Sequence, residues 1–148
     1  MKIKNLNING YNVRVDVNRT KELYDPLPLV SDEAHCGCAD CYFYVKAITC
    51  TSSAIQEYFW QFGIDPRKEA NVWMAAEFDD GAILYIVDYR FVGEIEGAEQ
   101  IGWIEIDNAK FSLTNYPSLQ APMVLKSVTP SMIELQVEII FGPKINIS

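Results

Sequence analysis

The stretch HCGCADC, residues 35–41, gathers three of the chain's four cysteines and its sole histidine. Three kinds of chemistry use such groups. Zinc takes four ligands, with sulfur at about 2.3 Å, and Cys36, Cys38 and Cys41 together with His35 or Cys50 supply that number. Spacing weakens the set. Cys50 would lie at the far end of a helix, roughly 15 Å away at about 1.5 Å per residue. His35 adjoins Cys36, and neighbouring side chains seldom both reach a tetrahedral ion without strain. The candidate metal ligands are therefore Cys36, Cys38, Cys41 and His35, with zinc as the candidate ion.

Cys38-Ala39-Asp40-Cys41 is also a C-x-x-C at the start of a helical pattern. A helix N-terminus lowers the pKa of the first thiol there, and the second lies one turn along as a resolving group. A strand leading straight into that helix is the usual setting of a redox pair, whereas here a proline-containing loop precedes it. The third use is packing. Cys41 shares a stripe with Val45 and Ile48, Cys38 would close its top, and Cys50 would sit at a helix junction as a small apolar group. Packing is the expectation for these three thiols, which leaves Cys36 the least explained.

No other catalytic constellation is present. Cys36 next to His35 is a weak nucleophile–base pair, because consecutive side chains in an extended loop point apart. The carboxylates of EFDDG and VGEIEGAEQ fall in turns and on wet strand faces, and the chain holds no G-x-G-x-x-G, P-loop or H-E-x-x-H. No residue is nominated as catalytic or cofactor-binding, and a non-enzymatic role is the expectation.

The elements around the cluster follow from pattern. Lys2 to Ile8 and Tyr11 to Val17 read as strands joined at Asn9-Gly10, a pair suited to a type I′ turn. YDPLPLVSDEAH reads as a loop. Ala39 to Thr49 has helical spacing. A second helix starts at Ser53, capped by Thr51, Ser52 or Ser53, with Ile55, Tyr58, Phe59 and Phe62 on one face and Gly63 and Pro66 at its end. PRKEANVW has room for one more helical turn. MAAEF, AILYIVDYRFVGEI, IGWIEI, KFSLT, MVLKSV and IELQVEIIF then read as strands, the first two flanking Asp79-Asp80-Gly81. Helices grouped rather than interleaved with strands predict one α+β domain over residues 1–148. It would hold an N-terminal β-hairpin, a helical hairpin and a largely antiparallel C-terminal sheet or sandwich.

Composition bounds the partners. With 148 residues the chain can bury a core of its own without cross-links. A net charge of −8 argues against nucleic acid and anionic lipid, which need clustered Lys and Arg. No apolar run is long enough to span a membrane, and MKIKNLNING lacks the apolar centre of a signal peptide, so the expected location is cytoplasmic, with reduced thiols. The charge suits a basic protein partner, as for an antitoxin-like or immunity-like inhibitor. Trp60, off the apolar stripe of its helix, is the candidate partner-binding residue, and Trp73 and Trp103 flank strands. Burial under the sheet or a helix is nevertheless the usual fate of large aromatics.

CGCADCYFYVKAI followed by FWQFGIDPRKEANVW resembles a pattern of uncharacterised bacterial proteins, in which a C-x-x-C with aromatics after it precedes a helix ending FGIDP. The resemblance covers residues 36–73 and rests on Cys38, Cys41, Phe59, Phe62, Gly63, Ile64, Asp65 and Pro66. It implies a bacterial cytoplasmic origin and brings no activity with it.

Overall fold

The computed structural model describes residues 3–33, 36–68, 70–115 and 132–142. The chain opens with the expected hairpin, β1 (Ile3–Ile8) and β2 (Tyr11–Asp16). Asn9 and Gly10 both take positive φ, 52° and 89°, as a type I′ turn requires, and this pins Ile8 opposite Tyr11. β2 buries Val13 and Val15 and leaves Arg14 exposed.

The alternation of valines predicts a strand through Val17, but there the chain turns into a helix, α1 (Val17–Tyr24). Asp16 caps it by accepting the Arg19 N–H at 3.0 Å. The reason lies elsewhere in the fold. α1 buries Thr20 and Tyr24 against the longest strand, β4 (Ile83–Ile95), along a stretch that lacks a strand neighbour on that side. β4 pairs with β3 (Asn71–Glu77) near its start and with β2 at Gly93–Ile95. In the gap between, the Tyr24 hydroxyl donates to the Arg90 carbonyl at 2.7 Å and accepts the Arg90 N–H at 3.3 Å. Thr20 Oγ1 accepts the Val92 N–H at 3.1 Å. Side chains of α1 thus satisfy buried backbone groups that a strand would otherwise pair.

α2 (Ala39–Ile48) and α3 (Ser53–Trp60) form where the periodicity places them, and Ser52 is the cap that α3 uses. At the end of α3, Gly63 donates to the Trp60 carbonyl and Ile64 to that of Phe59, the paired bonds of a Schellman turn. Gly63 has φ +83°, and a Cβ there would lie 2.5 Å from the Val17 carbonyl oxygen, so only glycine lets α3 end against α1. Among the described residues of 66–73 no helix forms. Val30 donates to the Arg67 carbonyl, Leu29 bridges Lys68, and the chain then enters β3.

Among the described residues, β3 and β4 with β5 (Gln100–Ile106), β6 (Ala109–Thr114) and β7 (Met132–Phe141) complete an antiparallel seven-stranded sheet in the order β1-β2-β4-β7-β6-β5, with β3 on the free side of β4. The α+β class therefore stands, as one sheet rather than a sandwich. The expected strand MVLKSV lies outside the described residues.

One face of the sheet carries Tyr85, Val87, Tyr89 and Phe91 of β4 and Leu135, Val137, Ile139 and Phe141 of β7, all buried. Helices cover this face. Tyr44 meets Tyr85 and Phe141, Phe59 meets Tyr89 and Phe111, and Phe62 stacks on Phe91 with ring centres 4.4 Å apart. The buried hydroxyls inside the core are chained: Tyr44 hydrogen-bonds Tyr89, which donates to the Pro66 carbonyl at 2.7 Å. Burial pushes the pKa of both phenols up and keeps them neutral.

The other face is polar at its centre. Register aligns Asn71, Asp88, Gln136 and Ser112 in one row across four strands, and Arg90, Glu134 and Thr114 in the next. Arg90 is 1% exposed, with Nη1 3.6 Å from Glu134 Oε1 and 3.2 Å from the Tyr89 carbonyl.

Candidate functional site

The cysteine loop is assembled by backbone devices local to it. Gly37, at φ +72°, turns the chain between Cys36 and Cys38, and a Cβ there would sit 3.2 Å from Glu33 Cα. The Cys36 N–H donates to the Asp32 carbonyl at 3.0 Å, which anchors the turn. Cys38 then takes the N-cap of α2 with extended backbone, φ −82° and ψ 163°, and its sulfur accepts the Cys41 N–H at 3.4 Å. Cap and third helical position face each other across the first turn, with sulfur as the N-cap acceptor. The result is that the sulfurs of Cys36, Cys38 and Cys41 all lie within 4.8 Å of one another. Three cysteines are close enough to bind a metal, which allows zinc.

This placement corrects the packing expectation for two thiols. Cys41 is buried, as its stripe with Val45 and Ile48 predicts, but Cys38 is exposed at the cap and closes no stripe. Cys50 is likewise exposed, in the loop after α2, and does not join the cluster. His35 lies outside the described residues. The signal available in the sequence was the pairing of cap and third helical position with a glycine two residues before Ala39, which turns a crowded loop into a convergent one.

The thiols differ in ease of ionisation. The Cys41 N–H, and then the Cys36 side chain, hydrogen-bond the Cys38 sulfur and lower its pKa. Burial pushes Cys41 well up, and hydrogen bonds to Cys38 and Cys36 add to this. An exposed sulfur that ionises more easily than an ordinary thiol thus sits beside a buried one that ionises less easily.

Cys36 and Cys41 open onto a cleft of about 590 Å³ whose other walls come from β3 and β4, among them Asn71, Val72, Trp73, Ile86 and Asp88. Trp73 is 63% exposed. Burial raises the Asp88 pKa, although Arg90 opposes this through its charge, as do hydrogen bonds with Gln136 and Glu134. Asp88 was not singled out from the sequence, because in AILYIVDYRFVGEI it reads as one more wet-face residue of an alternating strand.

All three tryptophans are on the surface rather than under an element. Trp60 is 45% exposed at the end of α3, where Lys4 and Lys21 help line a shallow cleft beside it. Trp103 is 46% exposed on β5. No described helix is long and apolar enough to cross a membrane.

Comparison of the chain with models of protein families, with curated proteins and with solved structures finds no match. The site's chemistry has to be read from its own atoms.

Proposed function

We propose that the protein binds a thiophilic metal ion, zinc foremost, through Cys36, Cys38 and Cys41. The observation that supports this reading is the approach of three sulfurs within 4.8 Å. Ligand sulfurs about 2.3 Å from a tetrahedral ion stand roughly 3.8 Å apart, so small side-chain rotations close the gap. Three protein ligands leave a fourth position for His35, water or an exogenous group.

The opposed ionisation of Cys38 and Cys41 also suits a thiol–disulfide couple. The Cys38 thiolate would attack a substrate disulfide and expel one substrate thiolate. The Cys41 sulfur would then attack the mixed disulfide, releasing the second substrate thiolate and leaving a Cys38–Cys41 disulfide. That second step needs the Cys41 proton removed, and burial holds that proton on the sulfur, whereas an arriving metal ion displaces the proton itself. The metal reading is the stronger for that reason.

Elemental analysis and zinc titration of the reduced full-length chain test it. About one tightly held zinc per chain is expected, abolished in Cys36→Ser, Cys38→Ser and Cys41→Ser and kept in Cys50→Ser. Four freely titrating thiols with no zinc retained would overturn the proposal. A Cys38–Cys41 disulfide forming readily with a glutathione buffer would move the assignment to the redox couple.

A further inference from the structure

Charge is distributed unevenly over the sheet. The first 21 residues carry Lys2, Lys4, Arg14, Arg19 and Lys21 against one carboxylate, Asp16, in a chain whose net charge is −8. These residues build β1, β2 and the first turns of α1, so one corner of an acidic protein is basic. Arg14 is met by Glu96 at 3.7 Å and Arg19 by Glu22 at 3.7 Å. Lys4 and Lys21 have no carboxylate partner among the described residues. Together with Val17 and Trp60 they line a cleft of about 530 Å³, to which no described carboxylate contributes.

The same corner holds an open sheet edge. Among the described residues β1, β3 and β5 each have one side without a strand neighbour. β3 shifts register between Met74 and Ala76 and β5 between Ile101 and Ile104, and such bulges twist an edge away from further pairing. β1 has no such break, from Ile3 opposite Asp16 to Ile8 opposite Tyr11. Its two-residue turn makes Ile8 and Tyr11 a hydrogen-bonded pair, and alternation extends this to Leu6 and Lys4. The N–H and C=O of Ile3, Asn5 and Asn7 therefore point outward, and these three residues are exposed. Lys4 stands opposite the buried Val15, so its side chain is on the sheet face that the helices cover, toward Lys21 and Trp60.

A regular, unpaired edge offers main-chain hydrogen bonds to an extended chain, and alternate side chains of that chain then fall on the side of the cleft. We propose that β1 takes up an extended acidic segment of a partner protein as an added strand, its helix-side carboxylates at Lys4 and Lys21 and their stems on Trp60. The sign is opposite to that of the whole chain, and at about 0.15 M salt, where charges are screened over about 8 Å, the local lysines decide. A second copy is the poorer occupant, because pairing β1 with itself brings two basic corners together. The edge involves no cysteine and stands apart from the metal reading.

The test uses the full-length chain under reducing conditions and a capped Thr-Glu-Thr-Glu-Thr-Glu peptide, followed by NMR. Saturable shifts along β1 are expected, with slowed hydrogen exchange at the Ile3, Asn5 and Asn7 amides. The glutamine counterpart should bind at least about fivefold more weakly, and the acidic peptide should lose about as much on the double variant Lys4→Gln, Lys21→Gln. Of two peptides N-methylated at alternate positions, the one methylated toward β1 should not bind and the other should. Asn5→Pro removes an outward N–H, a position where an edge strand accepts proline, and should abolish binding. If that variant disturbs the hairpin, the methylated pair decides on the wild-type chain. Equal binding by the glutamine peptide, by both methylated peptides or by a short oligothymidylate, or no saturation at all, would overturn the proposal. A dimer of the free chain that Asn5→Pro dissociates would also overturn it and assign the edge to a second copy.

Discussion

Replacing Cys38 by serine separates what this residue does for the fold from what it does for a metal. In the metal-free chain Cys38 caps α2 through a long sulfur bond, 3.4 Å to the Cys41 N–H, and its side chain is exposed. Serine is a better cap than a thiol sulfur, and a full cap is worth about 1 kcal/mol, so the gain from sulfur to oxygen should be about 0.5 kcal/mol. Almost no apolar burial is lost to offset it. With zinc the balance reverses. An ion present at about 100 times its dissociation constant stabilises the folded chain by about 2.7 kcal/mol, and a site reduced to two thiolates forfeits most of that. For a domain of this length that difference corresponds to roughly 6–10 °C in the unfolding midpoint. The assay is thermal unfolding of wild type and Cys38→Ser under reducing conditions, once with chelator and once with zinc. The curves should cross over: the variant equal or slightly higher with chelator, clearly lower with zinc. A variant that loses more than about 1 kcal/mol with chelator would show that Cys38 packs after all. A wild type indifferent to zinc would remove the metal from the account.

Two further outcomes probe the scaffold. Tyr24→Phe removes the hydroxyl that serves both backbone groups of Arg90, leaving a buried donor and a buried acceptor unpaired. It should cost about 2–4 kcal/mol in urea unfolding, and a loss under about 1 kcal/mol would mean that α1 does not stand in for a strand. Asp65 tests the turn after α3. Burial alone would push its carboxyl up, but side-chain and backbone hydrogen bonds from Arg67, at 2.8 to 3.0 Å, outweigh this and hold it below its ordinary value. A folded pKa below the unfolded one adds stability that is complete above about pH 4 to 5 and is lost as pH falls through the folded value. Asp65→Asn should therefore be less stable than wild type near neutral pH, and the gap should narrow in urea titrations carried toward about pH 3. A gap that is constant with pH would refute the assignment.

Signals confined to one element were legible in the sequence. The positive-φ pair at Asn9-Gly10, the serine before α3, Gly63 after it, and the alternation of Ile83, Tyr85, Val87, Tyr89 and Phe91 each act over a few residues, and each forms what its pattern predicts. Such features depend on backbone sterics and local period, which travel with the sequence wherever it folds. α1 was not legible. Val17 continues a strand pattern, and the helix that begins there exists because buried backbone groups of β4, some seventy residues later, need partners.

The cysteines divide in the same way. That Cys38 and Cys41 stand at a helix start was readable. That Gly37 turns left-handed, that the cap sulfur faces its partner, and that Cys36 joins them at the mouth of a cleft walled by β3 and β4 came only from the tertiary structure. Asp88 shows the same limit. Its place on a wet strand face follows from alternation, whereas its half-burial beside Trp73, with one oxygen undonated, depends on which strands become its neighbours. Local chemistry determines the elements and the residue types they carry. Which of those residues meet is decided by long-range pairing, where satisfying buried polar groups and closing the core outweigh the preference of any single segment.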